Sequence, residues 1–335
     1  MRELVIILAD FFLRDAEGDS PQARAALTRG RFGLSRSLRG GWRDWLARRE
    51  GREDLALADP AAVVAAAEGL PPQASPWLVT PLHLLAGMKT VHVPMNASLA
   101  LTPDESQSLT REFAATFGAD KLRLHAIEPS GFLLYGLDAD GAETTEPARL
   151  LGGTLDEGLP SGPGSRRLRQ LMAEIDLWLH ELPLNRAREA RHEPRISTLW
   201  LWGGGQPSRD ALPRSASSAG WAVVHAEDAW VSSFGQLSGI DVRPLPSDAT
   251  ALLAGAAPSP VSGDAVCVVV PCAAQGLAVL DAAWIQPAVA AVRAGALRSV
   301  SIVGNDRCVA LMAGDQWRFW RPERDVLAAL AEGNA

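Results

Sequence analysis

Four short apolar runs, at residues 4–8, 197–202, 265–270 and 299–303, constrain the fold of this chain more than any other feature. Each is too short for a core helix; the first is continuous in apolar character and rich in β-branched residues, the pattern of a strand buried on both faces, and the other three are further buried-strand candidates. Helical stretches separate them, and strand–helix alternation predicts a mainly parallel α/β sheet. The first run ends at Asp10, which puts a carboxylate where a parallel strand opens into a loop. In open α/β sheets ligands bind beyond those carboxyl ends.

The helices between the runs are legible from local signals. Asp59 and Pro60 cap an Ala-rich helix reaching about Glu68, with proline at its first position. Thr102, Pro103 and Glu105 form a capping-box start for a helix reaching about Phe117. From Ser165, the residues Leu168, Leu171, Met172, Ile175 and Leu179 fall on one helical stripe, which Pro183 stops. Residues 122–125 and 131–137 read as short strands, and 309–312 with 316–320 as a terminal antiparallel hairpin. The expected organisation is a core of residues 1–87 and 151–335, with a small α+β subdomain inserted at 88–150.

With 335 residues, 47% apolar and 21% charged, the chain has the composition of a globular protein. The start of the chain lacks the features of a secretory signal and no run is long enough to span a bilayer, so a cytoplasmic protein without membrane association is expected. Cys267, Cys272 and Cys308 are odd in number and unpatterned, suiting neither a disulfide framework nor a zinc site, and read as core thiols. A net charge of −7 argues against general nucleic-acid affinity. Against that balance, residues 24–52 are arginine-rich and include Trp42 and Trp45: a solvated helical region, or a patch for an acidic macromolecular partner.

The strongest local motif is the apolar strand end Trp200-Leu201-Trp202 running into Gly203, Gly204 and Gly205. Three glycines allow close backbone approach, either to an anionic ligand or in a tight turn after a core strand. Just upstream, Asn185, Arg186 and Arg188 offer a guanidinium clamp for phosphate or carboxylate, or a salt-bridged helix face. His83, at the start of an expected helix, and His92 could join Asp10 in one site, or be satisfied structurally; His225 sits at a strand end.

Taken together, residues 159–202, with a Pro183-Leu-Asn185-x-x-Arg188 turn and the Trp-Leu-Trp-Gly strand end, resemble the archaeal-type cofactor-independent phosphoglycerate mutases. The resemblance continues through Leu212-Pro213, Gly220-Trp221-Ala222 and the stretch 233–240, and is loose elsewhere. It extends to a short, divergent proteobacterial branch that includes virulence-cluster regulatory proteins. It implies an alkaline-phosphatase-like fold with a parallel sheet, helices on both faces, an inserted domain and a two-metal site serving a serine nucleophile.

Several positions depart from that implied site. No histidine follows His225, and where the family carries Asp-His-Ser/Thr after its last parallel strand this chain reads Asp306-Arg307-Cys308. Arginine is not a metal ligand. Asp10, Asp306 and His92 remain as metal-ligand candidates, and Ser35, Ser37 and His83 as catalytic ones. The leading expectation is a regulatory or ligand-binding protein without phosphoryl transfer, needing no cofactor and binding a small phosphorylated or carboxylated ligand or a protein. The alternatives are an active phosphomutase or phosphatase using Mn, Zn or Mg at a rearranged site, and an adaptor binding a macromolecule through residues 24–52.

Overall fold

The computed structural model describes residues 2–9, 11, 27–70, 75–128, 131–205, 212–214, 220–255, 265–271, 276–304 and 306–331. In chain order the main strands are β1 (Arg2–Leu8), β2 (Trp77–Leu82), β3 (Arg123–Ala126), β4 (Phe132–Tyr135) and β5 (Thr198–Trp202), then β6 (Val223–His225), β7 (Val242–Arg243), β8 (Ala265–Val270), β9 (Leu297–Gly304) and β10 (Arg307–Met312). The main helices are α1 (Gly41–Arg49), α2 (Pro60–Ala67), α3 (Pro103–Phe117), α4 (Ser165–Glu181), α5 (Pro183–Ala190), α6 (Ala249–Gly255), α7 (Gln286–Arg293) and α8 (Val326–Ala331). The chain forms two compact units, one of Met1–Leu57, Arg214–Glu227 and Gly235–Ala335, the other of Ala58–Pro213 and Asp228–Phe234. The second unit is thus wider than the 88–150 insert that the sequence suggests.

The first unit is built on a sheet of order β7-β6-β8-β1-β9-β10, closed by the short strand Arg36–Ser37. From β7 to β9 the strands run parallel, and β10 and Arg36–Ser37 add antiparallel pairs at one edge. This is the mainly parallel α/β sheet that the apolar runs predict. Leu4, Ile6 and Leu8 share one core with Val266, Val268, Val270, Val300 and Ile302, covered by Trp284, Ile285, Ala288, Val289 and Val292 from the helical segment ending in α7. Burying each large aliphatic side chain stabilises by about 1.5–3 kcal/mol, so the two-sided burial of β1 fixes its place at the centre. On the opposite face α1 delivers Arg49, which binds the Glu3 carboxylate through two contacts of 3.1 and 2.8 Å. The same guanidinium lies 4.4 Å above the Trp221 ring, itself edge-on to Trp45. Burial alone would raise the Glu3 carboxyl, but the Arg49 hydrogen bonds and charge hold it below the ordinary carboxylate value. Helices therefore cover both faces of the sheet.

The second unit holds an antiparallel sheet of order β3-β4-β2-β5. Here the structure corrects the sequence: the run at 197–202 does not enter the parallel sheet but pairs antiparallel with β2, from Leu78↔Trp202 to Leu82↔Thr198. Its apolar character reflects burial on both faces, which either kind of sheet can supply. His83 follows strand β2 and does not open a helix. Pro81 is tolerated in β2 because β4 pairs only with Trp77–Val79, so no ladder donor is missing on that side. The helix signals hold. Thr102 and Glu105 form the reciprocal capping box of α3, and α4 buries Leu168, Leu171, Met172, Ile175 and Leu179. A second correction concerns 316–320, which form no strand. Residues 313–317 make a 3-10 turn because the Asp315 carboxylate accepts the Met312 N–H at 2.9 Å.

On α4, burial pushes the Asp176 carboxyl up to about 6, against a hydrogen bond from Thr198 that lowers it, and its Oδ1 has no hydrogen-bond partner. The folded state therefore binds the proton more tightly than the unfolded chain, and stability falls as pH rises from about 4 to about 6, by on the order of 3 kcal/mol. Asp176→Asn should abolish that loss, making the variant the more stable form at neutral pH but not below about pH 4. Urea unfolding of both proteins across this range, followed by circular dichroism, measures it.

Candidate functional site

A parallel sheet exposes unpaired backbone and loop side chains at the carboxyl ends of its strands, and in the first unit that edge gathers residues from distant parts of the chain. Beyond β1, the Ala9 N–H donates to the Val270 carbonyl at 3.1 Å, and Phe11 lies against Gly304 at the end of β9. Asp10 and the stretch 272–275 lie outside the described residues. The chain then turns through Asp306 into β10, with Gly304 paired to Arg307. Strand Arg36–Ser37 docks on that turn: Ser37 pairs with Arg307, Arg36 with Cys308, and the Leu38 N–H donates to the Asp306 carbonyl at 2.7 Å.

Directly opposed residues of an antiparallel pair share a face. Ser37 and Arg307 therefore stand together on one side of the edge, next to Asp306, while Arg36 and Cys308 share the other. The Ser35 hydroxyl meets Arg307 at α8: it donates to the Leu330 carbonyl at 2.9 Å, the oxygen that Arg307 Nη1 reaches at 3.4 Å. Arg36 and Arg39 are exposed on either side of Ser37. Burial pushes the Cys308 thiol up to about 11, so it is no thiolate nucleophile at neutral pH. At the end of β6, His225 Nδ1 meets the Pro244 carbonyl at 2.9 Å, which ties the segments ending β6 and β7.

A two-metal site needs several carboxylate and imidazole ligands converging within one coordination sphere. Among the described residues no group of three or more His, Cys, Asp and Glu side chains could hold a metal ion. The described part of this edge offers Asp306 beside a guanidinium, a set that does not fit such a centre. Of the other candidates, His83 and His92 belong to the second unit. His83 Nδ1 contacts the Arg195 carbonyl at 3.0 Å, and exposed His92 contacts the Thr90 hydroxyl at 3.2 Å.

The structure gives the remaining binding candidates a different use. Asn185 is 1% exposed; its amide donates to the Leu179 and Ile196 carbonyls at 2.8 and 2.9 Å and accepts the Ile196 N–H at 2.8 Å. It staples the end of α4 to the segment entering β5. One turn on, Arg188 is buried against Glu105, with contacts of 2.9 and 2.8 Å, and donates to the Pro194 carbonyl. Arg191 completes the pairing with Glu105 at 2.6 Å. Arg186 alone of the three points to solvent.

The three glycines likewise serve packing. Gly203 donates its N–H to the Thr144 hydroxyl and accepts from Ala61 N–H. A Cβ on Gly204 would lie 2.2 Å from the Pro76 carbonyl oxygen, and one on Gly205, whose φ is +107°, would lie 2.5 Å from that of Ala142. The backbone that approaches these glycines belongs to the protein itself. Sequence reasoning weighed Ser37 and Asp306 separately and did not foresee Ser37 and Arg307 as neighbours. The signal was present in the arginines interleaved with Ser35 and Ser37, but pairing over such a separation is not local.

No protein-family model matches the chain. Over 139 residues it is 27% identical to a probable 2,3-bisphosphoglycerate-independent phosphoglycerate mutase of Geobacter sulfurreducens, covering 41% of this chain and 35% of that protein. The chain thus matches about a third of the length of that relative, and the similarity points to the cofactor-independent phosphoglycerate mutases. Superposition on the cofactor-independent phosphoglycerate mutase of Thermoplasma acidophilum gives a TM-score of 0.41 at 14% identity, over 100% of this chain and 96% of that one. A Pyrococcus horikoshii protein gives 0.43 at 13% identity, over 93% and 87%. Both scores lie below 0.5.

Asn185→Ala leaves three buried backbone groups without their partner and should cost about 3 kcal/mol or more. Gly204→Ala should cost about 1–3 kcal/mol, because backbone and not a movable side chain blocks the added methyl. Thermal unfolding of each variant checks both, and unchanged melting would refute the packing role.

Proposed function

We infer that this chain is a phosphoglycerate-mutase-like protein that binds a phosphorylated or carboxylated small molecule at the carboxyl edge of its parallel sheet, in a regulatory or ligand-binding role without two-metal phosphoryl transfer. The observation that carries this reading is Arg307 on the same sheet face as Ser37, beside Asp306. In the family that the sequence resembles, that position holds a histidine. A guanidinium neutralises anionic oxygens through paired hydrogen bonds without a metal, so the substitution exchanges metal-assisted chemistry for anion recognition. Ser37 supplies a hydroxyl on that face, and exposed Arg36 and Arg39 add positive charge at its margins. Under this reading no cofactor is required, and the protein works in the cytoplasm as an alkaline-phosphatase-like scaffold put to binding.

Titration calorimetry with 3-phosphoglycerate and with inorganic phosphate tests it. Saturable binding is expected without added metal, and Arg307→Ala should weaken it about tenfold or more, the worth of a charged hydrogen bond. Binding that ignores Arg307→Ala would overturn the assignment. So would manganese-dependent turnover of a phosphate ester that Ser37→Ala abolishes, which would establish an active phosphotransferase in place of a silent one.

A further inference from the structure

Anion binding leaves unused a surface of the first unit around residues 312–324. Asp315 is 2% exposed, and its carboxylate takes the Met312 N–H, Arg321 Nη1 at 3.1 Å and Arg318 Nη1 at 3.2 Å. One carboxylate thus draws the turn and both arginines inward and leaves the intervening rings outside. Trp317, Phe319 and Trp320 are 76%, 82% and 68% exposed, with Phe319 and Trp320 edge to face at 5.3 Å. Single exposed apolar side chains are ordinary, but three large rings within four residues make a patch of the kind that marks an interaction surface.

Beside the rings lies a shallow cleft with an apolar floor of Val292, Leu311 and Met312 and a rim that includes Arg31, Arg293 and Glu323. The rim is fixed in place: Arg31 pairs with Glu323 at 3.0 Å and donates to the Gln316 carbonyl, and Arg293 donates to the Arg29 carbonyl at 2.6 Å. Pairing of Arg29–Gly30 with Arg324–Asp325 brings two more arginines to the same region. Among the described residues, six arginines (29, 31, 293, 318, 321, 324) meet four carboxylates there (Asp281, Asp315, Glu323, Asp325), a local positive excess on a chain of net charge −7.

We propose that this surface docks an acidic segment of a partner protein that carries one large apolar anchor. Charge complementarity selects an anionic partner. Guanidiniums already held by Asp315, Glu323 and backbone carbonyls lose little freedom on meeting carboxylates, and tryptophan with arginine is the usual make-up of a binding hot spot. The floored cleft offers one concave seat for the tip of an apolar side chain, for which a lipid surface has no counterpart. Phe319 and Trp320 stand at 81° to one another and give no parallel faces for successive nucleobases. A second copy docked symmetrically would set this positive surface against itself.

The test pans a random peptide library against the full chain and compares affinities of the enriched peptides by fluorescence anisotropy. Enriched peptides should be rich in Asp and Glu around one large apolar residue. They should bind about tenfold or more weakly to Trp317→Ala/Trp320→Ala and to Arg293→Glu, both altered at exposed positions. Failure to enrich peptides, enrichment without acidic residues, or equal binding to these variants would overturn the proposal. Preferred binding to phosphatidylserine vesicles or to oligothymidine, or self-association that the same variants abolish, would overturn it in favour of that partner.

Discussion

Everything in the first unit depends on β1 lying between β8 and β9. This strand from the start of the chain pairs on each side with a strand from its last quarter, and Leu4 to Leu8 are buried above and below the sheet. The sheet cannot assemble until residue 304 has been made, whereas the second unit is nearly continuous in sequence. Loop closure of this size costs little extra stability but delays folding, because the distant contacts must form before they contribute. The second unit can therefore pack its antiparallel sheet while β1 still waits for its neighbours.

The same pairing brings Ser37 to Arg307. Strand β9 ends where β1 ends, the turn at Asp306 reverses the chain, and the short strand Arg36–Ser37 attaches to the result. The candidate ligand edge is thus a by-product of sheet order, and its chemistry follows from which residue occupies the turn. A histidine there would add a ligand for a cation; Arg307 offers a fixed cation of its own.

What the sequence disclosed was whatever is decided locally. The stripe from Leu168 to Leu179 and the reciprocal bonds of Thr102 and Glu105 involve neighbours a turn apart, and both are present as read. The run at 197–202 was legible as a buried strand but not as an antiparallel one, because burial on both faces leaves no trace of strand direction. Asn185, Arg188 and Gly203 to Gly205 read equally well as ligand contacts or as packing. The difference lies in Glu105, Ile196, Pro76 and Ala142, partners that only the folded chain supplies. Glu105 shows why such motifs mislead: one carboxylate both caps α3 and neutralises Arg188, so a residue that looks fully explained by its helix end has a second, long-range duty.

The abundance of tryptophan acquires a practical meaning once the rings are placed. Trp42, Trp77, Trp200 and Trp221 are shut inside the protein, whereas Trp317 and Trp320 face water beside Asp315. The chain consequently holds tryptophans at both extremes, in an apolar interior and in a hydrated loop, with Trp45, Trp178 and Trp202 half-buried between them. A collisional quencher such as acrylamide reaches the loop tryptophans first, so quenched and unquenched spectra separate events at the 312–324 surface from events in the cores, without any label.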